Sequence, residues 1–155
     1  MYPANGAFEQ AGPMYPAQPF PRAKAAEIVQ VCELYIELSA RRHLGTALFG
    51  RPRSEAAYEE VKPEVEKGLR AFSRLAKFNP YVTGDEFGSA DIFVYHSFRL
   101  ARVILERIYD WDVVSEVPGL GSHIEAMEER DSTKRVVADH DEAMAALMAR
   151  IAAAK

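Results

Sequence analysis

The single thiol and the four imidazoles of this chain are the first side chains to consider for catalysis or metal binding. Cys32 could act as a nucleophile, because a thiolate attacks electrophiles and binds metals. It lies mid-helix on a predicted apolar face with Ile28 and Ile36, where thiols are usually buried and unreactive. The histidines share no metal-ligand spacing, and no second cysteine accompanies them: His43, His96, His123 and His140. We therefore expect a structural Cys32, no metal site and no catalytic residue in this chain.

A basic run follows the first predicted helix and contains no acidic residue: Arg41, Arg42, His43, Arg51 and Arg53. Two interpretations remain open. Cations near a helix C-terminus are favoured by its dipole, and the rest of the run would then be a solvated loop. Alternatively, the run contacts an anion.

Apolar residues recur at helical spacing from Arg22 onwards, and no period-2 alternation of any length is present. This pattern predicts an all-α bundle of about five to six helices. We expect the first helix to break at Gly45 and Gly50. The second should run to about residue 75, with Pro63 in its first turn or at a kink.

The third helix is predicted to begin near Ser89 and, being apolar on nearly all sides, to be buried all round. Pro118 predicts the first position of a shorter helix. The last helix is expected to open at Asp139, where Glu142 completes a pair resembling a capping box. The acids at this start, which include Asp141, are better explained by the helix dipole than by a cation site.

Residues 1–21 have a different composition, with five of the nine prolines and one charged residue. Proline fixes φ and removes an N–H donor, so we expect an extended linker here. A linker at this place suggests a preceding domain. We assign residues 22–155 to one helical domain.

Composition excludes several classes of function. Apolar residues make up 48% and charged residues 27% of the chain, as in a globular protein. The net charge of -4 argues against a nucleic-acid partner, and no apolar stretch is long enough to span a membrane. The single cysteine fits a reducing, cytoplasmic location.

The segment 78–92, Phe-Asn-Pro-Tyr-Val-Thr-Gly-Asp-Glu-Phe-Gly-Ser-Ala-Asp-Ile, resembles the hallmark of the glutathione transferase C-terminal domain. Val117-Pro118-Gly119-Leu120 is similar to the opening of a late helix in that family. The resemblance implies that Asp91 is a structural N-cap residue, accepting backbone N–H bonds from the preceding loop. Gly88 stands where the family has a capping Thr or Ser, and Ser89 is a possible substitute.

The resemblance also implies roles for the first helix, which in the family forms a dimer interface and one wall of the pocket for a hydrophobic electrophile. Four residues at i+3 and i+4 steps are the substrate-binding candidates: Tyr35, Leu38, Ser39 and Arg42. Packing in the core or at an interface is the alternative for Tyr35 and Leu38. Glutathione is the co-substrate of the complete family fold, and the basic run could contact its carboxylates.

Three functions remain open. The chain could be the C-terminal half of a glutathione transferase, inactive alone because the thioredoxin-like domain that holds glutathione has no counterpart here. It could instead be a helical protein–protein interaction module. A ligand-binding or stress protein without catalysis is the third possibility, since a fold alone does not decide function. A homodimer, or a pairing with a thioredoxin-like domain, is the expected assembly.

Overall fold

The computed structural model describes residues 14–153, which form six helices and no β-strand. The only β feature in this part of the chain is an isolated bridge between Tyr81 and Gly84. The predicted all-α fold is therefore confirmed. The described residues divide into two compact units, 14–123 and 124–153, which we describe separately.

Helix α1 spans residues 19–41 and consists of three consecutive stretches. Pro19–Val31 is α-helical, Cys32–Glu37 is π-helical, and Leu38–Arg41 is α-helical again. The helix begins in the predicted linker, because a proline in the first turn needs no N–H donor. Most of that linker, residues 1–13, lies outside the described residues, so the domain boundary stays a prediction.

Helix α2 spans Leu44–Phe49 and ends at Gly50. Gly50 has a φ of 65°, in the left-handed region, and a right-handed helix cannot continue through it. The predicted break at Gly50 is confirmed, whereas the one at Gly45 is wrong because Gly45 lies within α2. The break before α2 falls at His43, whose φ of -98° and ψ of 1° are not helical.

Helix α3, Glu55–Leu75, begins where the Ser54 hydroxyl accepts the Ala57 N–H at 3.3 Å. Pro63 lies inside this helix and not in its first turn. Pro63 has no N–H to donate to the carbonyl of Glu59, one turn earlier. Both residues are exposed, so water can bind that carbonyl instead.

Helix α4, Ser89–Tyr109, begins where the sequence predicts and ends at Asp110, which has a φ of 52°. Its inner face is buried, but the prediction of burial on all sides is wrong. Phe93 is 46% exposed and Val103 is 37% exposed. Two large apolar side chains of α4 are therefore on the protein surface.

Helix α5, Leu120–Glu128, starts two residues after Pro118, so the predicted first position is wrong. Gly119 has a φ of 87°, which is incompatible with a helix, and the Leu120 N–H bonds to the Val117 carbonyl at 3.1 Å. Pro118 and Gly119 thus form a turn that leads into the helix.

Helix α6, Asp131–Ala153, belongs to the second unit and begins well before Asp139, which corrects the predicted start. Asp131 places a carboxylate in the first turn, and the Lys134 N–H bonds to the Arg130 carbonyl at 2.9 Å. Asp139 and Glu142 lie in the helix interior and cap nothing.

In the first unit, α1 packs against both α3 and α4. Helices α1 and α3 are in close contact at Gly68, where an added Cβ would lie 2.8 Å from the Tyr35 Cβ and 3.0 Å from the Tyr35 carbonyl oxygen. The fully buried apolar side chains on these helices include Ile28, Ile36, Val61, Val65, Phe72, Val94, Phe98 and Ile104. This core fixes the three helices that carry the candidate site.

Candidate functional site

The Asp91 carboxylate joins the loop before α4 to the helix itself. Asp91 is fully buried at the third position of α4, one turn after Gly88. Its two oxygens accept the backbone N–H groups of Val82 and Gly88, each at 2.8 Å. Both amides would otherwise be buried or half-buried donors without a partner, so the carboxylate ties down the loop.

His123 is the nearest titratable neighbour of Asp91. Its Nδ1 lies 3.8 Å from an Asp91 oxygen, and its side chain is 1% exposed. Burial lowers the pKa of His123 more than the nearby carboxylate raises it, so the imidazole is neutral near pH 7. The ring of His123 also packs against Phe78, with centroids 5.4 Å apart.

The N-cap residue of α4 is Gly88, and the backbone of Met14 lies directly beside it. The Ser89 N–H bonds to the Met14 carbonyl at 2.8 Å. A Cβ at Gly88 would lie 3.0 Å from the same oxygen, which is a tight contact. Gly88 has no side-chain oxygen to offer the helix amides, and Ser89 contributes its backbone N–H and not a capping hydroxyl.

The four substrate-binding candidates of α1 have different surroundings. Tyr35 is half-buried against α3, with the Lys67 ammonium 5.0 Å from its ring centroid. Ser39 is buried, and its hydroxyl donates to the Leu34 carbonyl at 3.4 Å. Leu38 is 46% exposed. Tyr35 and Ser39 therefore contribute to packing, whereas Leu38 remains accessible to a ligand or partner.

The basic run is paired with acids that lie elsewhere in the sequence. Arg42 binds Glu60 of α3 at 2.6 Å, Arg41 binds Glu37 at 2.6 Å, and Arg53 binds Glu55 at 3.1 Å. His43 is buried and its Nε2 lies 2.8 Å from the Tyr109 hydroxyl, which itself donates to the Tyr58 carbonyl at 2.9 Å. Three of the five members thus form ion pairs, and the Arg42–Glu60 pair joins the C-terminal end of α1 to α3.

Cys32 is buried against α4 at the start of the π-helical stretch. Burial raises the pKa of its thiol to about 12, so the thiolate is negligible near neutral pH. The neighbouring Ser97 hydroxyl donates to the Glu37 carboxylate, which also binds Arg41. The sequence did not reveal this chain of polar contacts, because Glu37 and Ser97 are far apart and neither belongs to a motif.

Residues 14–153 contain no cluster of three or more His, Cys, Asp or Glu side chains that could hold a metal ion. No helix in the same range is both long enough and apolar enough to cross a membrane.

Comparison with known proteins indicates the family of this domain. Residues 55–126 match the family model described as "Glutathione S-transferase, C-terminal domain". The match contains α3, the loop held by Asp91, α4 and most of α5. This chain carries a glutathione S-transferase C-terminal domain.

A relative of this domain is a curated protein of Pseudomonas putida that is named glutathione S-transferase. It is 30% identical over 142 residues, which cover 92% of this chain. The chain spans 64% of that protein's length.

Proposed function

We propose that this chain acts as the helical half of a glutathione-conjugating protein. Helix α1 supplies an apolar wall for a hydrophobic electrophile and a contact surface for a second copy of the chain. Glutathione itself is held and activated by a thioredoxin-like domain. The family match and the apolar surface of α1 support this function.

The apolar surface of α1 is the observation that carries the proposal. Leu34 is 52% exposed and Leu38 is 46% exposed, one helical turn apart. Charged side chains flank them at Glu37 and Arg41, which bind each other and leave the leucines uncovered. Exposed neighbouring apolar side chains of this kind are typical of ligand pockets and subunit contacts. Both assigned roles use this one surface.

The chain provides little for activating a thiol. Conjugation requires a glutathione thiolate, which polar donors must stabilise at a fixed position. Cys32 is too deeply buried and too weakly acidic to replace that thiolate as a nucleophile. Arg41 and Arg42, at the C-terminal end of α1, are already engaged in ion pairs with Glu37 and Glu60. Activation is therefore assigned to a different domain.

A double substitution in a fusion protein tests the proposed role of α1. The chain is fused to the thioredoxin-like domain of a glutathione transferase, and Leu34→Asp and Leu38→Asp are introduced together. Losing one or two apolar contacts should raise the KM for an aryl halide about tenfold, while the KM for glutathione stays unchanged. Sedimentation equilibrium should show a dimer for the parent and a monomer for the variant.

Val136→Asp is the matched control, because Val136 is 51% exposed and lies on α6. It should change neither the KM nor the mass. An unchanged KM in the double variant would contradict the electrophile wall. An unchanged mass would contradict the subunit contact.

A further inference from the structure

Helix α1 contains one wide turn, Cys32–Glu37, at the place where its surface is apolar. The Leu38 N–H bonds to the Glu33 carbonyl, five residues earlier, whereas an α-helix would use the carbonyl four residues earlier. Leu34 lies within this wide turn, and Leu38 follows it directly. The conformation of the turn therefore decides how the two exposed leucines are presented.

The wide turn brings its first and last residues to one side chain of α4. Cys32 and Glu37 are five positions apart, which in an α-helix would place them about 140° apart around the axis. In the structure the Ser97 hydroxyl donates to the Glu37 carboxylate, and the Cys32 thiol is within hydrogen-bonding reach of the same side chain. The wide turn thus joins to α4 two residues that an α-helix would separate.

The bond between Ser97 and Glu37 lies in a mostly apolar contact. Ser97 is 3% exposed, the Glu37 side chain is 18% exposed, and the adjacent Ile36 and Phe98 are fully buried. Hydrogen bonds to a charged group are strong, and a half-buried carboxylate that loses such a donor is costly. The bond therefore opposes any rotation of the wide turn that would take Glu37 away from α4.

The second oxygen of the Glu37 carboxylate is also held. It accepts the Arg41 Nε at 2.8 Å and the Arg41 Nη2 at 2.6 Å. One carboxylate thus connects the wide turn to α4 and to the last turn of α1. Leu38 follows Glu37 in the chain, so fixing Glu37 also fixes the direction in which Leu38 points.

We infer that Ser97 is a positioning residue for the apolar surface at Leu34 and Leu38. Its hydroxyl holds the wide turn through Glu37 and so fixes the two leucines for an incoming electrophile, although Ser97 itself is buried and touches no substrate. The role of the leucines rests on the proposed function. The hold of Ser97 on the turn does not depend on that function and is measurable in the chain itself.

Amide hydrogen exchange of the 155-residue chain measures this hold. In Ser97→Ala, the Leu38 amide should exchange at least about tenfold faster relative to the amides of α3, because the turn that it closes is no longer tied to α4. Ser73→Ala is the matched control, since the Ser73 hydroxyl bonds within α3, to the Leu69 carbonyl at 2.8 Å. It should leave the exchange of the Leu38 amide unchanged.

The fusion with a thioredoxin-like domain measures the consequence for the electrophile. Ser97→Ala should raise the KM for an aryl halide about three- to tenfold, while kcat and the KM for glutathione stay unchanged. Glu37→Ala should raise it too, and the two substitutions combined should raise it no further than Glu37→Ala alone, because both break one link. Loss of stability alone would reduce the amount of folded enzyme and leave the KM unchanged. Ser73→Ala should change none of these values.

The inference is overturned if Ser97→Ala leaves the exchange of the Leu38 amide unchanged. It is also overturned if Ser97→Ala leaves the KM unchanged while Leu34→Asp with Leu38→Asp raises it, and the proposed function then stands. If the leucine double variant itself leaves the KM unchanged, the proposed function fails. Faster exchange in Ser97→Ala would then still support the hold of Ser97 on the wide turn.

Discussion

At the residue scale, Asp91 holds two backbone amides with one carboxylate. Replacing it with Asn keeps one acceptor and points an N–H₂ group at a second donor. We expect Asp91→Asn to lower the free energy of unfolding by about 1–3 kcal/mol. For a chain of this size that is a fall of several degrees in the thermal midpoint, at about 2–4 °C per kcal/mol.

Circular dichroism melting of the wild type and Asp91→Asn measures this effect. Asp85→Asn is the control, since Asp85 is an exposed acid in the same loop and should change stability by less than about 0.5 kcal/mol. Equal midpoints for all three proteins would show that the carboxylate does not stabilise the loop.

The two buried histidines predict a dependence of stability on pH. Burial lowers the pKa of both His43 and His123 below the ordinary value of 6.5, so the unfolded chain binds protons more readily. Stability is then complete above about pH 6.5 and falls as the pH drops towards the folded-state pKa values. Each histidine contributes a slope of at most about 1.4 kcal/mol per pH unit.

Urea unfolding between pH 7.5 and 5.5 tests this dependence. His123→Asn should reduce the slope, whereas His140→Gln, at an exposed position, should preserve it. A wild-type stability that is constant over this range would contradict the prediction, because it would mean that folding does not lower the pKa of either histidine.

The sequence indicated that Asp91 and Cys32 are structural residues and that Asp91 accepts backbone N–H bonds from the preceding loop, but it did not indicate the contact of Asp91 with His123. Asp91 lies in a contiguous motif, whereas its contact with His123 joins two separate helices. Likewise, the basic run without internal acids left open either a solvated loop at a helix end or an anion contact, and neither interpretation indicated that Glu60 of α3 binds Arg42. Such pairs depend on how helices pack, and periodicity in one segment carries no information about the segment beside it.

At the element scale, an all-α bundle of about five to six helices and the start of α4 followed from periodicity and from the Asp91 motif, whereas the short helix α2 was not predicted. The ends of other helices did not. Pro118 looked like a first helical residue, but Gly119 has a left-handed φ that delays α5 to Leu120. Asp139 and Glu142 looked like a capping pair, although Asp131 already provides an acid in the first turn of α6. A segment can contain several residues that are favourable at a helix N-terminus, and the helix begins at only one of them.

The contact of α1 with α3 gives a prediction at the same scale. Ala is usually better than Gly inside a helix by about 1 kcal/mol. At Gly68, however, the new Cβ would meet the Tyr35 backbone oxygen at 3.0 Å, so the helices would have to separate. We expect Gly68→Ala to destabilise the protein by about 1–3 kcal/mol.

Gly121→Ala is the control, because Gly121 is also helical and its nearest neighbour is Val114 at 3.9 Å. This substitution should leave stability unchanged or raise it. Urea unfolding of both variants gives the comparison. If Gly68→Ala is as stable as Gly121→Ala, the helices are not in close contact at that position.

At the scale of the whole molecule, the chain has the helical architecture of a glutathione S-transferase C-terminal domain and spans 64% of the length of its Pseudomonas putida relative. In the function that we propose, the reaction is divided between two domains. The helices would provide the apolar surface at Leu34 and Leu38, and a thioredoxin-like domain would provide the polar groups that lower the thiol pKa. Binding one reactant without positioning the other gives little acceleration.

Turnover with glutathione and an aryl halide is the most direct test of this division. The 155-residue chain is compared with the same chain fused to a glutathione-transferase thioredoxin-like domain, and with that domain alone. We predict that the chain alone gives no rate above the uncatalysed reaction, and that the fusion exceeds the thioredoxin-like domain alone. Turnover by the chain alone would contradict the account, because a residue that we assign to structure would then have to activate the thiol.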